Sequence, residues 1–205
     1  MIGDGIFMRL QNKVVLLTEV NFEKGYELAK LILENGARLA VTVRDKEEGI
    51  KFITKLKREL GFGTDVVFLK CDMIDTESIK NMAYEVIDHF GRVDVLINSL
   101  VGYMKNEKII LTRENEDKLS ETIKYILELM VEQNYGNIIN LVNISDNDIK
   151  MNFDLREYIE NLSKSLLVNN IRINTVMSSI EKNNKESIIM LASDESKAMN
   201  NKFIG

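Results

Sequence analysis

The residues that say most about chemistry lie in TEVNFEKG, positions 18–25, directly after the apolar run Val14-Val15-Leu16-Leu17. A strand, a turn and a helix in succession is the arrangement with which a nucleotide-binding sheet cradles phosphate. Glycines permit the tight turn, backbone N–H groups approach the pyrophosphate, and the helix N-terminus favours its charge. Two of the places where such a turn calls for glycine hold Glu19 and Glu23. Glutamate adds a Cβ, bulk and negative charge, and a like-charge pair at 4 Å costs about 1 to 4 kcal/mol for effective dielectrics of about 80 to 20. Lys24 offsets part of that charge. The segment also reads as a solvated acidic turn that stabilises the helix dipole. The expectation is a dinucleotide turn that is impaired or closed.

No other chemistry emerges from residue types alone. His89 is the only histidine and Cys71 the only cysteine, so no metal-ligand set and no internal disulfide is expected. The ten methionines are scattered, which fits core filling better than a binding stripe. The acidic run RENEDK (113–118) begins and solvates a helix and lacks regular metal-ligand spacing. A net charge of -5 argues against nucleic acid as a partner. No apolar run approaches the roughly 18 residues of a membrane span, and MIGDGIFMRLQNK lacks the layout of a secretory signal. A reducing, cytoplasmic setting is the default for a chain with one cysteine. Residues 1–7 read as an N-terminal extension, with Met8 an alternative start.

The elements that must position these residues alternate from end to end. KVVLLT (13–18), RLAVTV (38–43), DVVFLK (65–70), VDVLIN (93–98), NIINLV (137–142) and IRINTV (171–176) are short β-branched runs of the kind buried on both faces. Between them, helical spacing predicts helices in 22–35, 46–60, 76–89 (capped by Asp75 or Thr76), about 115–134 (ended by Gly136) and about 153–168, with a last one over about 184–192. Helix-length crossovers demand a parallel sheet. The fold class is therefore α/β, a single doubly wound domain with about six to seven parallel strands and helices on both faces. Ligands on such sheets bind beyond the carboxyl ends of the strands, which singles out 18–25, 43–45, 71–73, 98–102 and 142–156.

With GYELAKLILENGARLAVTVRD, FLKCDM, HFGRVDVLIN, GNIINL, LSKSLL, NIRINTV and MLASDES in that order, the chain resembles the short-chain dehydrogenase/reductase (SDR) family, and within it proteins like 3-oxoacyl-ACP reductase. The resemblance implies a Rossmann-type fold and NADP or NAD as cofactor. Of the family's Thr-Gly-x-x-x-Gly-x-Gly pattern, only Thr18 and Gly25 survive, so dinucleotide binding is expected to be weak or absent. Arg44 stands where NADP-preferring relatives place a basic residue for the 2′-phosphate, although it also reads as a surface arginine beside Asp45. Asp72 and Met73 match the adenine-contacting pair, and Asn98 heads the Asn-Asn-Ala-Gly element.

The family's catalytic Asn, Ser, Tyr and Lys fall on Asn115, Asn143, Asn152 and Arg156, so only the first is retained. An asparagine amide has no proton to exchange near neutral pH, and Arg156 cannot replace the tyrosine. Ser145 and Tyr158 are nearby decoys, and Tyr158 has Leu162, not lysine, four residues on. The spans that build and cover the pocket are shortened, and the closing strand is cut to NKFIG. The resemblance thus points to a catalytically impaired relative acting as a binding or regulatory module or silent subunit, with an NADP-dependent oxidoreductase of rearranged site as the alternative. It also implies a homodimer, or a hetero-oligomer with an SDR relative, through the helices at about 115–134 and 153–168, where Leu127, Met130, Leu162 and Leu166 offer apolar area.

Overall fold

The computed structural model describes residues 8–19, 24–105, 108–144, 153–166, 169–178 and 184–205. Seven strands lie parallel in the order β3-β2-β1-β4-β6-β8-β9. They are β1 (Val14–Leu17), β2 (Arg38–Val43), β3 (Val66–Lys70), β4 (Val95–Lys105), β6 (Gly136–Ile144), β8 (Ile171–Ser178) and β9 (Phe203–Ile204). Two short strands, β5 (Lys108–Leu111) and β7 (Phe153–Asp154), add an antiparallel extension beside the end of β4. The helices are α1 (Lys24–Glu34), α2 (Lys46–Leu60), α3 (Thr76–Phe90), α4 (Arg113–Gln133), α5 (Leu155–Leu166) and α6 (Lys185–Ala192).

Side chains that alternate along each strand feed two cores, one per face. Leu16, Leu96, Ile138 and Ile173 pack with Ile79 and Val86 of α3, Ile123 and Ile126 of α4 and Ile159 of α5. Val15, Ile97, Ile139 and Val176 pack with Ile32 of α1, Phe52 of α2 and Ile189 of α6. Burial on both faces is why β1 is a continuous apolar run, whereas β6 and β8 interleave their apolar residues with buried Asn137, Asn140, Arg172, Asn174 and Thr175. Asp94 ties the centre together: its carboxylate accepts from the Val14 N–H and from Arg92, and its carbonyl accepts from the Asn137 N–H.

Asp45 caps α2 by accepting from the Glu48 N–H, and Asp75 caps α3 by accepting from Glu77 and Ser78. Helix α4 (Arg113–Gln133) ends where expected, but the residue that stops it is Asn134 and not Gly136. Asn134 takes the left-handed conformation at φ 52°, which asparagine tolerates, so the helix ends there and Gly136 already starts β6.

The largest departure from expectation lies after β4. Instead of turning at Asn98, the strand runs on to Lys105 and pairs with β6 as far as Gly102 opposite Ile144. It then folds back into β5, with Gly102 opposite Leu111. Ile109, Ile110 and Leu111 are buried, so apolar burial drives the hairpin that a glycine-containing segment had masked. Burial also corrects the expected pairing surface. Met130 and Leu166 lie in the chain's own core and have no area to offer a partner, and Leu127 and Leu162 are only partly exposed.

Candidate site at the carboxyl edge of the sheet

Strand β1 has β2 on one side and β4 on the other, so the strand order reverses between β1 and β4. That switch point opens the crevice where doubly wound sheets hold ligands. Glu19 is the first residue beyond Thr18 on the β1 side, and α4 descends from the β4 side. The Glu19 carboxylate accepts from the Lys118 ammonium of α4 at 2.6 Å, which links the two walls of the crevice. Lys118 is only 4% exposed along its side chain, against 40% for Glu19, and it lies 3.9 Å from a second carboxylate, Glu114. The Glu19 backbone sits at φ 50°, the left-handed region that a glycine enters freely and a side chain pays about 1–2 kcal/mol to enter. Its N–H donates to Thr42 Oγ1 at 2.7 Å, fixing the turn against β2. Glu19 itself thus holds a left-handed backbone conformation while its carboxylate reaches Lys118 on α4. Gly25 lies in the first turn of α1, whereas Glu23 falls outside the described residues.

At the ends of β2 and β3, Arg44 donates to Asp72 at 3.0 Å. The Asp72 side-chain contact raises the Arg44 pKa. In turn the Arg44 contact, helped by the Ile74 N–H, holds the Asp72 carboxyl below its ordinary value. Both side chains remain half or more exposed, 67% and 50%. Met73 is buried beneath them, with its sulfur 3.4 Å from Cys71 Sγ. Burial pushes the Cys71 thiol up to about 11, so it is a packing residue and not a nucleophile.

Thr18 and Asn115 hold the edge of β4. Because β1 ends at Leu17, the N–H groups of β4 beyond Ile97 that face the β1 side lose their strand partner and need another, while β6 continues to pair the other side. Thr18 Oγ1 accepts from the Ser99 N–H at 3.1 Å, and Asn115 Oδ1 accepts from the Val101 N–H at 3.0 Å. Strand β5 takes over from Gly102 onward. On the other flank, Asn143 Nδ2 donates to the Leu100 carbonyl at 3.4 Å, so Asn115 and Asn143 meet adjacent residues of β4. Asn98 is buried and donates to Asn140 Oδ1 at 3.1 Å.

Asn152 and Ser145 lie outside the described residues. Arg156 sits in the first turn of α5, where its N–H donates to Asp154 Oδ1 and its guanidinium carbon lies 4.1 Å from the centre of the Phe203 ring of β9. Tyr158 is half-buried, and burial raises its phenol pKa, the opposite of what a proton-transferring tyrosine requires. Among the described residues no group of three or more His, Cys, Asp and Glu is placed to hold a metal ion. No described helix is long and apolar enough to cross a membrane.

Sequence reasoning missed Lys118 and Thr42. Lys118 belongs to a run that reads as solvated, but it lies three residues after Asn115 and next to Leu119, on the stripe that α4 buries. That spacing was the available signal.

The comparisons with known proteins agree with this architecture. An uncharacterized oxidoreductase of Thermotoga maritima is 31% identical over 142 residues, covering 64% of this chain and 54% of the relative. The 15-hydroxyprostaglandin dehydrogenase (NAD(+)) of Rattus norvegicus is 30% identical over 140 residues, covering 67% and 52%. The chain thus matches about half the length of these curated relatives. Among solved structures, a short chain dehydrogenase from Mycobacterium smegmatis superposes with a TM-score of 0.78 at 20% identity, covering 96% of this chain and 92% of that one. NADH-dependent reductase A1-R' complexed with NAD superposes with 0.77 at 18% identity, covering 97% and 96%. These two likenesses speak to the fold. The sequence pattern of the short chain dehydrogenases matches residues 13–148, more than half of the 205, and the protein belongs to that family of oxidoreductases.

Proposed function

We propose that this chain is a short-chain dehydrogenase relative that has given up hydride transfer and works as a binding or regulatory module, or as a silent subunit paired with itself or with an active relative. The observation that carries the reading is the 2.6 Å ion pair between Glu19 and Lys118 across the switch-point crevice. A dinucleotide's pyrophosphate approaching this turn would meet a carboxylate where family members offer glycine N–H groups. It would also have to take Lys118 from Glu19. The residues present therefore do not fit the cofactor's phosphates, and no catalytic step is assigned through it.

The chemistry at the remaining positions supports the same reading. Asn143 and Asn152 stand where the family has serine and tyrosine, and neither amide exchanges a proton near neutral pH. Arg156, at the lysine's position, rests on Phe203.

A second reading, an NADP-dependent oxidoreductase with a rearranged site, is favoured by one observation. Arg44 is exposed at the end of β2, beside Asp72, where a 2′-phosphate could reach it. The test that separates the two is NADPH oxidation with a panel of ketones, aldehydes and acyl thioesters. No turnover is expected, because general acid–base catalysis alone contributes about 10² to 10⁴-fold. Robust turnover abolished by Asn152→Ala or Arg156→Ala would establish the second reading.

A further inference from the structure

The amino edge of the sheet, opposite the crevice, carries a second opening. A cavity of about 600 Å³ lies where β6 and β8 begin and the chain passes from α6 toward β9. Its wall includes Tyr135, Asn170, Arg172, Lys197 and Asn200, and among the described residues no acidic side chain lines it.

Arg172 is the unusual member. It is 6% exposed on β8, and its Nη2 donates to the Ser193 carbonyl at 2.9 Å and toward the Leu191 carbonyl at 3.5 Å. Those carbonyls close the C-terminal end of α6 and supply partial negative charge. They do not supply a counter-ion, and the buried Nε–H of Arg172 meets no acceptor among the described residues. The nearby carboxylate, Asp194, is already held by Lys13 at 2.9 Å and Lys197 at 3.4 Å. A buried cation without a paired anion is costly to keep. Lys197, also on the wall and 67% exposed, adds a second positive charge that shares Asp194 with Lys13, and the asparagines and the tyrosine add neutral polar groups.

We propose that this cavity binds a small organic oxyanion, a phosphate monoester or a carboxylate of metabolite size, with Arg172 and Lys197 as its charged partners. The volume falls within the roughly 300–1,000 Å³ of small-molecule sites and exceeds what an inorganic ion needs. The site lies at the opposite edge of the sheet from Glu19, so it stands or falls separately from the fate of the crevice.

Inorganic phosphate and citrate are the probes, titrated calorimetrically at matched ionic strength into the wild type, Lys197→Glu and Arg58→Glu. Lys197 is on the surface, so its variant keeps the buried Arg172 anchor, and Arg58 on the exposed side of α2 controls for total charge. Saturable binding of at least one probe to the wild type is expected. It should weaken tenfold or more in Lys197→Glu and stay unchanged in Arg58→Glu. Binding of phosphate alone assigns a phosphate monoester as the natural ligand class, and binding of citrate alone assigns a carboxylate. Saturable binding of neither probe overturns the proposal. So does equal affinity in wild type and Lys197→Glu, or an equal loss in both variants.

Discussion

Replacing Glu19 separates the two things that this residue does. Lys118 is buried and Glu19 is 40% exposed, so their pair falls between a surface bridge, worth about 0–1 kcal/mol, and a buried one whose breakage costs about 3–5 kcal/mol. Loss of the carboxylate should therefore destabilise by about 2 kcal/mol, with Glu114 at 3.9 Å left as the remaining partner of Lys118. Glu19→Ala suffers that loss in full and keeps the left-handed backbone at φ 50°. Glu19→Gly relieves about 1–2 kcal/mol of backbone strain but gives back about 0.4–1 kcal/mol through the entropy of the unfolded chain. Urea denaturation should thus find the glycine variant more stable than the alanine variant by about 0.5–1 kcal/mol, both lying below the wild type. Glu19→Gly should also strengthen NADPH binding on the order of tenfold, more at low salt than at high, through recovery of about 1–2 kcal/mol of repulsion. Adding Glu23→Gly should extend the gain, and neither change should bring turnover. Equal stability of the alanine and glycine variants would refute the strained turn. Unchanged NADPH affinity in Glu19→Gly would refute the blocked crevice.

Further outcomes follow from the same contacts. A double-mutant cycle of Glu19→Gln and Lys118→Met should give a coupling of about 1–3 kcal/mol by urea denaturation; additivity would mean that the pair contributes nothing. Lys13 holds the Asp194 carboxyl below its ordinary value, and Arg9 does the same for Glu195. These folded-state values lie below the unfolded ones, so the stabilisation is complete above about pH 4 and is lost as the pH falls through the lowered values. Scanning calorimetry between about pH 3 and 6 should show a steeper acid loss for the wild type than for Asp194→Asn, and parallel curves would contradict it. Arg156→Ala should cost about 0.5–1 kcal/mol by urea denaturation, the worth of an exposed cation–π contact. A loss of several kcal/mol would mean that Arg156 carries more of the structure than its stacking on Phe203.

The central strands were legible because burial on both faces calls for apolar and β-branched side chains, as in Val14–Leu17, which is wholly apolar, and Arg38–Val43, where Thr42 is the one polar residue after Arg38. Asp75 announced the start of α3 because a cap is a local interaction, readable from neighbouring residues. The hairpin of β4 and β5 was not legible. Its burial depends on what α4 and α5 leave open above the sheet, and Gly102 in its midst reads as a turn. The site divides along the same line. Glu19 and Glu23 in a glycine turn were visible by residue type, but the partner of Glu19 lies 99 residues away. A lysine inside RENEDK looks solvated until the α4 stripe through Asn115, Leu119 and Thr122 is recognised as its buried face. Arg172 was hidden likewise, as one charged residue in an otherwise strand-like IRINTV.

If the Glu19–Lys118 pair closes the crevice to a dinucleotide, the unmodified chain should not take one up. Titration calorimetry of the unmodified chain with NADPH at low salt tests it most directly. No saturable heat is expected in the micromolar range, with measurable binding appearing in Glu19→Gly. Stoichiometric binding by the wild type at about 1 μM, equivalent to about −8.2 kcal/mol, would contradict it.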